Sequence, residues 1–223
     1  MRVTIVGATG GIGKLLLEQA LGAGHAVTAV VRNPAKLARS EVRVLATDLA
    51  SPDTGVLAAA FADADAVLSG LGPASSAEVG IAERGTRAIV DAMDAVGARR
   101  LLVVSAAPVG TVASPARPHP PKHDPGDGFF MRYLLSPVIK AVLERHYADL
   151  ARMEDAVESS ALDWTIVRPP RLTNGALTTH ARVAYGQNIR GGLSVSRADV
   201  AHYMLTAMGQ AAAFRKVVGI AGG

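Results

Sequence analysis

The sequence contains no cysteine, and only 4% of its 223 residues are aromatic. The absence of cysteine excludes disulfides, thiol nucleophiles and zinc sites built on thiolates. Long hydrophobic runs are missing too, because no apolar stretch approaches the roughly 18 residues that a membrane-spanning helix needs. The chain opens directly on a strand-like segment, without a charged leader or an apolar signal core. We therefore expect a cytoplasmic protein that does not bind membranes.

Basic residues are scattered along the chain and form no runs, and the formal net charge is +4. This pattern argues against a nucleic-acid partner. Hydrophobic residues make up 49% of the chain and charged residues 19%, so the sequence can fill a core and is not typical of disorder. We expect residues 1–223 to form a single domain, monomeric or homodimeric, with a small-molecule partner.

The most informative pattern lies in the first thirteen residues. The apolar run Val3–Val6 is followed by Gly7, Gly10 and Gly13, and a helix-forming sequence begins at Lys14. A helix N-terminus has unpaired N–H groups and partial positive charge, which favour a bound phosphate. Glycines after a strand allow a tight turn and a close approach of pyrophosphate to the backbone. The segment predicts a dinucleotide site, and a glycine-rich β-turn is the simpler alternative.

Short apolar strands alternate with helix-forming segments along most of the chain. This alternation predicts an α/β protein with a doubly wound (Rossmann) parallel sheet, helices on both faces and a small C-terminal substrate-side region. Ligands of such sheets bind beyond the carboxyl ends of the strands. The first helix is expected to end near Gly22 or Gly24, and Ser196 is expected to be the N-cap of the last helix. The predicted strands are 2–6, 25–32, 42–45, 66–69, 100–105, 164–168 and 216–220, and the later helices are 54–61, 76–96, 138–159 and 196–208.

Residues 106–137 interrupt this alternation with a cluster of prolines. A loop of this length inside a compact domain is usually functional or mobile. We expect a lid or a wall on the substrate side, and a surface insertion without function is the alternative. Phe129, Phe130, Met131 and Tyr133 could form an apolar wall for a planar acceptor, or simply anchor the loop to the core.

Cofactor preference is predicted from the residue that follows the second strand. In dinucleotide folds an acidic residue about 20 positions beyond the glycines binds ribose hydroxyls, whereas an arginine receives a 2′-phosphate. Arg32 occupies that position, and a guanidinium suits a phosphate monoester. We expect NADP (NADPH) to be preferred over NAD, with Lys36 as a second cation; a solvated arginine is the alternative. Asp48 is expected either at the adenine edge or as a helix cap.

Motifs at 6–13, 31–34, 69–72, 103–105 and 164–170 resemble the atypical short-chain dehydrogenase/reductase superfamily. The similarity is greatest to its NAD(P)-binding NmrA-like and flavin reductase (biliverdin-IXβ reductase-like) group. The resemblance implies that Arg32 binds the 2′-phosphate and that Asp48 and Leu49 flank adenine. It implies a pyrophosphate site formed by Gly7, Thr9, Gly10, Gly11, Ile12 and Gly13. It also implies a nicotinamide side formed by Leu71, Gly72, Ser105, Pro169, Pro170 and Arg171.

The sequence departs from this family in lacking Tyr-x-x-x-Lys, the pair with which typical members protonate a carbonyl oxygen. The fourth residues after Tyr133, Tyr147 and Tyr185 are proline, alanine and isoleucine. Flavins and quinones avoid the need for this pair, because their conjugated rings accept hydride directly. The departure therefore favours a planar acceptor over an ordinary ketone.

We predict an NADPH-dependent reductase that transfers hydride to a flavin, quinone or similar planar acceptor, and no metal site. Ser105 is the candidate catalytic residue, and a hydroxyl bonded only to backbone is its alternative role. A non-catalytic NADP(H)-sensing regulator is the alternative function, and a sugar-nucleotide epimerase or dehydratase is a weaker one. His146, Tyr147, Asp149 and Glu154 share a predicted helix, and we expect these polar residues on its solvent face.

Overall fold

The structure is a computed structural model that describes residues 1–37, 39–72, 78–126 and 144–223. Its strands are β1 Arg2–Val6, β2 Ala26–Val31, β3 Arg43–Ala46, β4 Ala66–Ser69, β5 Arg100–Val104, β6 Asp163–Arg168, β7 Arg171–Thr173, β8 Arg182–Tyr185, β9 Ser194–Ser196 and β10 Lys216–Ala221. Its helices are α1 Gly11–Gly22, α2 Thr54–Phe61, α3 Ile81–Val96, α4 Glu144–Glu158 and α5 Arg197–Ala207.

One eight-stranded sheet has the order β3-β2-β1-β4-β5-β6-β10-β8, and β7 and β9 form a separate parallel pair. Only β8 is antiparallel to its neighbour in this sheet. The strand order reverses at β1, which pairs with β2 on one side and β4 on the other. A crevice therefore opens beyond the carboxyl end of β1, where the connecting segments diverge.

Helices cover both faces of the sheet and divide the core into two layers. Leu57, Ile89 and Met153, from α2, α3 and α4, pack on one face. Leu16 and Met204, from α1 and α5, pack on the other. Because both faces are covered, the central strands are continuously buried instead of alternating between apolar and polar residues. Within the described ranges, no helix has the length and apolar character needed to cross a membrane.

The doubly wound parallel sheet is confirmed, and each predicted strand is present with ends shifted by at most a residue or two. The predicted cap is also present, since Ser196 Oγ accepts a hydrogen bond from the Asp199 N–H at 2.9 Å. The helix predicted at 76–96 is present as α3, which begins after Gly80, a residue with a φ of 95°, and residues 76 and 77 of this prediction lie outside the described residues. The short strands β7, β8 and β9 were not predicted. Residues 127–143 and 73–77 lie outside the described residues, including Phe129, Phe130, Met131 and Tyr133.

The four polar residues of α4 that were expected on its solvent face are buried or half-buried, so that prediction was wrong. Asp149 and Glu154 have no exposed surface, Tyr147 is buried and His146 is half-buried. The carboxylate of Asp149 accepts hydrogen bonds from the backbone N–H groups of Gly80 (2.8 Å), Ala82 (3.2 Å) and Glu83 (3.0 Å). The first turn of α3 has no side-chain cap of its own, so Asp149 supplies one from α4.

We expect Asp149→Ala to lower the free energy of unfolding by about 2–3 kcal/mol, because three buried N–H groups lose a charged acceptor. Urea denaturation monitored by circular dichroism measures the effect. Asp91→Ala is the matched control, since Asp91 lies on the exposed face of α3, and it is expected to stay within about 0.5 kcal/mol of the unaltered protein. Equal stability of the two variants would contradict a capping role for Asp149.

Candidate functional site

A cleft of about 340 Å³ lies at the carboxyl ends of β1, β2, β3 and β4. It occupies the crevice that the reversal of strand order creates. Eight of the predicted site residues line it: Gly7, Thr9, Gly10, Arg32, Asp48, Leu49, Leu71 and Gly72. Residues from four segments that are distant in sequence thus meet in one site.

The glycine turn forms the floor of this cleft. Gly7 has a φ of 74°, which favours glycine, and its carbonyl accepts a hydrogen bond from the Gly10 N–H at 2.9 Å. A Cβ atom at Gly13 would overlap that carbonyl oxygen, so the start of α1 approaches the end of β1 backbone to backbone. Gly10, at the N-cap position of α1, has no side chain that could cap the first turn. The turn therefore suits an anion that binds to the N–H groups of α1, such as a pyrophosphate.

Three other residues predicted for the pyrophosphate site, Gly11, Ile12 and Gly13, do not line the cleft. Ile12 is 7% exposed and belongs to the core, so it offers a ligand only its backbone. Gly11 lies beside Arg197, whose Nε would be 3.0 Å from a Cβ built at Gly11. Arg197 Nη1 donates to Asn174 Oδ1 at 2.7 Å. Sequence reasoning missed this cation, although it directly follows the helix cap Ser196.

The outer end of the cleft carries charges of both signs. The exposed guanidinium of Arg32 donates from Nη1 to Glu78 Oε1 at 2.7 Å. This hydrogen bond, together with the negative charges of Glu78 and Asp48, raises the pKa of Arg32 above its ordinary value. Lys36 and Arg84 also line this end. Glu78 and Arg84 were not predicted, because they lie near the start of α3, far in sequence from the glycine turn.

Leu49 and Leu71 form an apolar part of the cleft lining. Leu49 is buried and Leu71 is half-buried. A Cβ at Gly85 would come within 2.6 Å of Leu71 Cδ2, so this glycine of α3 gives the leucines their space. Asp48 Oδ1 accepts from the Ala50 N–H at 3.0 Å and holds the local turn. The helix-cap alternative for Asp48 was wrong, because Asp53 caps α2.

Ser105, Pro169, Pro170 and Arg171 do not line this cleft. They lie further along the same edge of the sheet, where β5 and β6 end. The Ser105 N–H donates to the carbonyl of Val167 at 2.8 Å, and the Ala107 N–H donates to the carbonyl of Pro169 at 2.9 Å. The structure thus divides the predicted nicotinamide residues, because these four lie where β5 and β6 end, whereas Leu71 and Gly72 line the cleft with the glycine turn.

The hydroxyl of Ser105 belongs to a buried charged network. Its Oγ donates to Glu154 Oε1 at 2.6 Å, so the alternative of a hydroxyl bonded only to backbone was wrong. Arg168 donates from Nε to Glu154 Oε1 at 2.8 Å and from Nη2 to Oε2, and Arg117 lies 3.6 Å from Oε2. A carboxylate paired with arginine only accepts hydrogen bonds. The serine proton is therefore directed at Glu154, and its lone pairs remain for another donor.

Arg168 keeps its charge although it is buried. Burial of its guanidinium acts to lower the pKa, but the hydrogen bonds and the negative charge of Glu154 outweigh it, so the pKa lies above its ordinary value. The pair is 7% and 1% exposed at its side chains. Water therefore screens it little, and each charge depends on the other.

The described part of the proline-rich segment, residues 106–126, is bound to α4. Ser114 Oγ donates to Asp155 Oδ1 at 2.8 Å, and the Ala116 N–H donates to Asp155 Oδ2 at 3.1 Å. Asp124 Oδ1 accepts from the Asn188 N–H at 2.8 Å. These bonds suit a fixed wall beside Ser105. The lid or wall role of the whole segment 106–137 stays a prediction.

The sequence profile described as NAD(P)H-binding matches residues 7–211, which span almost the entire fold. The chain belongs to this NAD(P)H-binding family. Family membership and fold together confirm the predicted dinucleotide-binding α/β protein. NADP rather than NAD stays a prediction, as do the individual site residues.

Several solved structures have the same fold as this chain. The oxidoreductase ylbE of Lactococcus lactis has a TM-score of 0.79 at 18% identity, covering 100% of this chain and 91% of that one. A short-chain dehydrogenase/reductase of Veillonella parvula, solved in complex with NADP, has a TM-score of 0.76 at 19% identity, covering 99% and 94%. ChuY of Escherichia coli O157:H7, described as an anaerobillin reductase, has a TM-score of 0.76 at 26% identity, covering 99% and 97%.

Among curated proteins, YwnB of Bacillus subtilis is 35% identical over 107 residues. The match covers 48% of this NAD(P)H-binding chain and 48% of YwnB, so it spans about half the length of that relative. It supports a relationship within that part of the fold.

We expect Gly13→Ala to weaken NADPH binding at least about tenfold and to destabilise the fold by about 1–3 kcal/mol, because the added methyl group separates α1 from β1. Isothermal titration calorimetry and urea denaturation measure the two effects. Gly22→Ala is the matched control on the same helix, since a Cβ there meets no atom within 4 Å. Unchanged NADPH binding by Gly13→Ala would contradict the assigned pyrophosphate turn.

We expect Arg168→Met to lower the free energy of unfolding by about 3–5 kcal/mol at pH 8, because Glu154 is left as a buried charge. Urea denaturation at pH 8 measures this change. Arg117→Met is the control, expected to cost about 1 kcal/mol or less because Arg168 remains. A deficit for Arg168→Met no larger than that of Arg117→Met would contradict this role of Arg168.

Proposed function

We propose that this NAD(P)H-binding protein is an NADPH-dependent reductase whose acceptor is a flavin, a quinone or a similar planar conjugated molecule. The observation that carries the proposal is the arrangement along one sheet edge. An uncapped glycine turn and two cations, Arg32 and Lys36, lie at one end of it. A serine hydroxyl whose proton is directed at Glu154 lies two strands away.

The cofactor half of the proposal rests on the fit of the cleft to a phosphorylated dinucleotide. The N–H groups at the start of α1 would hold the pyrophosphate. Arg32 and Lys36 would hold the 2′-phosphate, and Asp48 and Leu49 would flank the adenine. When bound, NADPH supplies a hydride. The neighbour from Veillonella parvula in complex with NADP supports this cofactor within the same fold.

The acceptor half rests on a catalytic pair that the sequence lacks and on the hydroxyl of Ser105. A ketone needs a proton delivered to its oxygen, and the Tyr-x-x-x-Lys pair that usually supplies it is missing from the sequence. Ser105 presents lone pairs instead, which orient an N–H donor on the nicotinamide carboxamide or on the acceptor. An acceptor that takes hydride into a conjugated ring suits this site, because positioning supplies most of the catalysis.

Descriptions of the neighbouring structures agree with an oxidoreductase. ChuY, at 26% identity, is described as an anaerobillin reductase, which is a tetrapyrrole reductase. A tetrapyrrole is therefore included among the planar acceptors to be tested. The descriptions of ylbE and the Veillonella protein name the same broad class of redox enzymes.

Saturable NADPH oxidation, followed at 340 nm, tests the proposal with FMN, riboflavin, a quinone and biliverdin, and with aldehydes as the contrasting class. We expect turnover with at least one planar acceptor and none with aldehydes. Ser105→Ala is expected to lower kcat/KM about tenfold, the cost of one hydrogen bond in a charged network. Ser114→Ala is the matched control, because its hydroxyl also donates to a carboxylate of α4, and its kcat/KM should not change.

Turnover of aldehydes by the unaltered protein would contradict the proposal of a planar acceptor. Equal activity of both serine variants would contradict the role assigned to Ser105. Tight NADPH binding without turnover across the whole acceptor panel would overturn the reductase proposal. That result would favour the alternative, a regulator that senses NADP(H).

A further inference from the structure

An ion pair between Arg32 and Glu78 crosses the outer end of the cleft, where the proposed function places the 2′-phosphate of NADPH. Arg32 follows β2, whereas Glu78 precedes α3, so the two residues come from opposite sides of the crevice. Their side chains meet at 2.7 Å. The inference below concerns Glu78 and rests on that proposed function.

The cleft contains its anion-binding groups and a competitor for them together. Three cations line it, Arg32, Lys36 and Arg84, and so do two carboxylates, Asp48 and Glu78. The Glu78 side chain is only 29% exposed against 60% for Arg32, so Glu78 is the more enclosed partner. The guanidinium donor that Glu78 uses is one that a 2′-phosphate also needs, because a carboxylate and a phosphate each present oxygen atoms that accept hydrogen bonds from the same guanidinium fork.

Glu78 also opposes a phosphate without touching Arg32. A carboxylate within the cleft repels the 2′-phosphate, which carries about two negative charges at pH 8. A ribose that ends in a 2′-hydroxyl meets no such repulsion, because a carboxylate accepts hydrogen bonds from hydroxyls. The carboxylate of Glu78 therefore weakens the binding of NADPH more than the binding of NADH.

We propose that Glu78 is a specificity-determining residue, which occupies Arg32 in the free protein and must release it to the 2′-phosphate. The pair thus reduces the advantage of NADPH over NADH that Arg32 and Lys36 would otherwise give. Lys36 is in no ion pair among the described residues, so one cation is available to NADPH before the pair opens. The 2′-phosphate then replaces the Glu78 carboxylate as the partner of Arg32.

Isothermal titration calorimetry of Glu78→Gln with NADPH and NADH tests the inference. We expect NADPH to bind about three- to tenfold more tightly than to the unaltered protein, the range of a partly exposed ion pair plus repulsion, and NADH to change less than about twofold. Adenosine 2′,5′-bisphosphate and AMP, titrated in the same way, should show the same contrast. These two probes report on the adenosine end alone and need no turnover.

Two further variants make the test specific. Glu41→Gln is the matched control, because Glu41 pairs with Arg39 at 3.6 Å and does not line the cleft, and it should leave both dissociation constants unchanged. In an Arg32→Gln background, the gain from Glu78→Gln is expected to shrink to less than half of its value, since no guanidinium remains to be released. A gain of full size in that background would overturn release of Arg32 as the cause.

The remaining outcomes separate this inference from the proposed function. If the unaltered protein binds NADPH and Glu78→Gln binds it no more tightly, the role of Glu78 is overturned while the reductase proposal stands. If Glu78→Gln weakens NADH binding and leaves NADPH unchanged, Glu78 acts as a ribose ligand, which also overturns the inference. If the unaltered protein binds neither nucleotide, the proposed function fails and the inference fails with it.

Discussion

The close approach of two backbones, at the end of β1 and the start of α1, is the constraint on which the rest of the site depends. Gly13 leaves no room for a side chain against the carbonyl of Gly7, and Gly7 itself has a positive φ. This contact aims the uncapped end of α1 at the crevice where the strand order reverses. Arg32, Asp48 and Leu71 can line a shared cleft because their strands end around this turn.

Two buried carboxylates of α4, Asp149 and Glu154, bind groups near the carboxyl ends of the strands. Asp149 binds the N-terminus of α3, the helix whose first turns supply Ile81 and Arg84 to the cleft. Glu154, one and a half turns later, binds Arg168 and Ser105. One helix therefore connects both halves of the site through charge-assisted hydrogen bonds in a region that water screens little.

The predicted fold was largely correct because hydrophobic periodicity and glycine positions are local signals. The strand at Val3–Val6 and the Ser196 cap follow from neighbours within a few residues of each other. The prediction that the polar residues of α4 face solvent was wrong because it used only local signals. The hydrogen-bond partners of Asp149 lie 66 to 69 residues away in sequence, and those of Glu154 lie 14 to 49 residues away. No local sequence pattern indicates such partners.

By itself, the sequence determined the alternating α/β architecture, the glycine turn after β1 and the guanidinium after β2, since each follows from residue types at short spacing. Only the tertiary structure decided what those groups meet. It placed Glu78 on Arg32, Arg197 beside Gly11 and Glu154 beneath Ser105. The physical reason is that an ion pair depends on distance in space, and folding brings together charges whose separation along the chain carries no information about their contact.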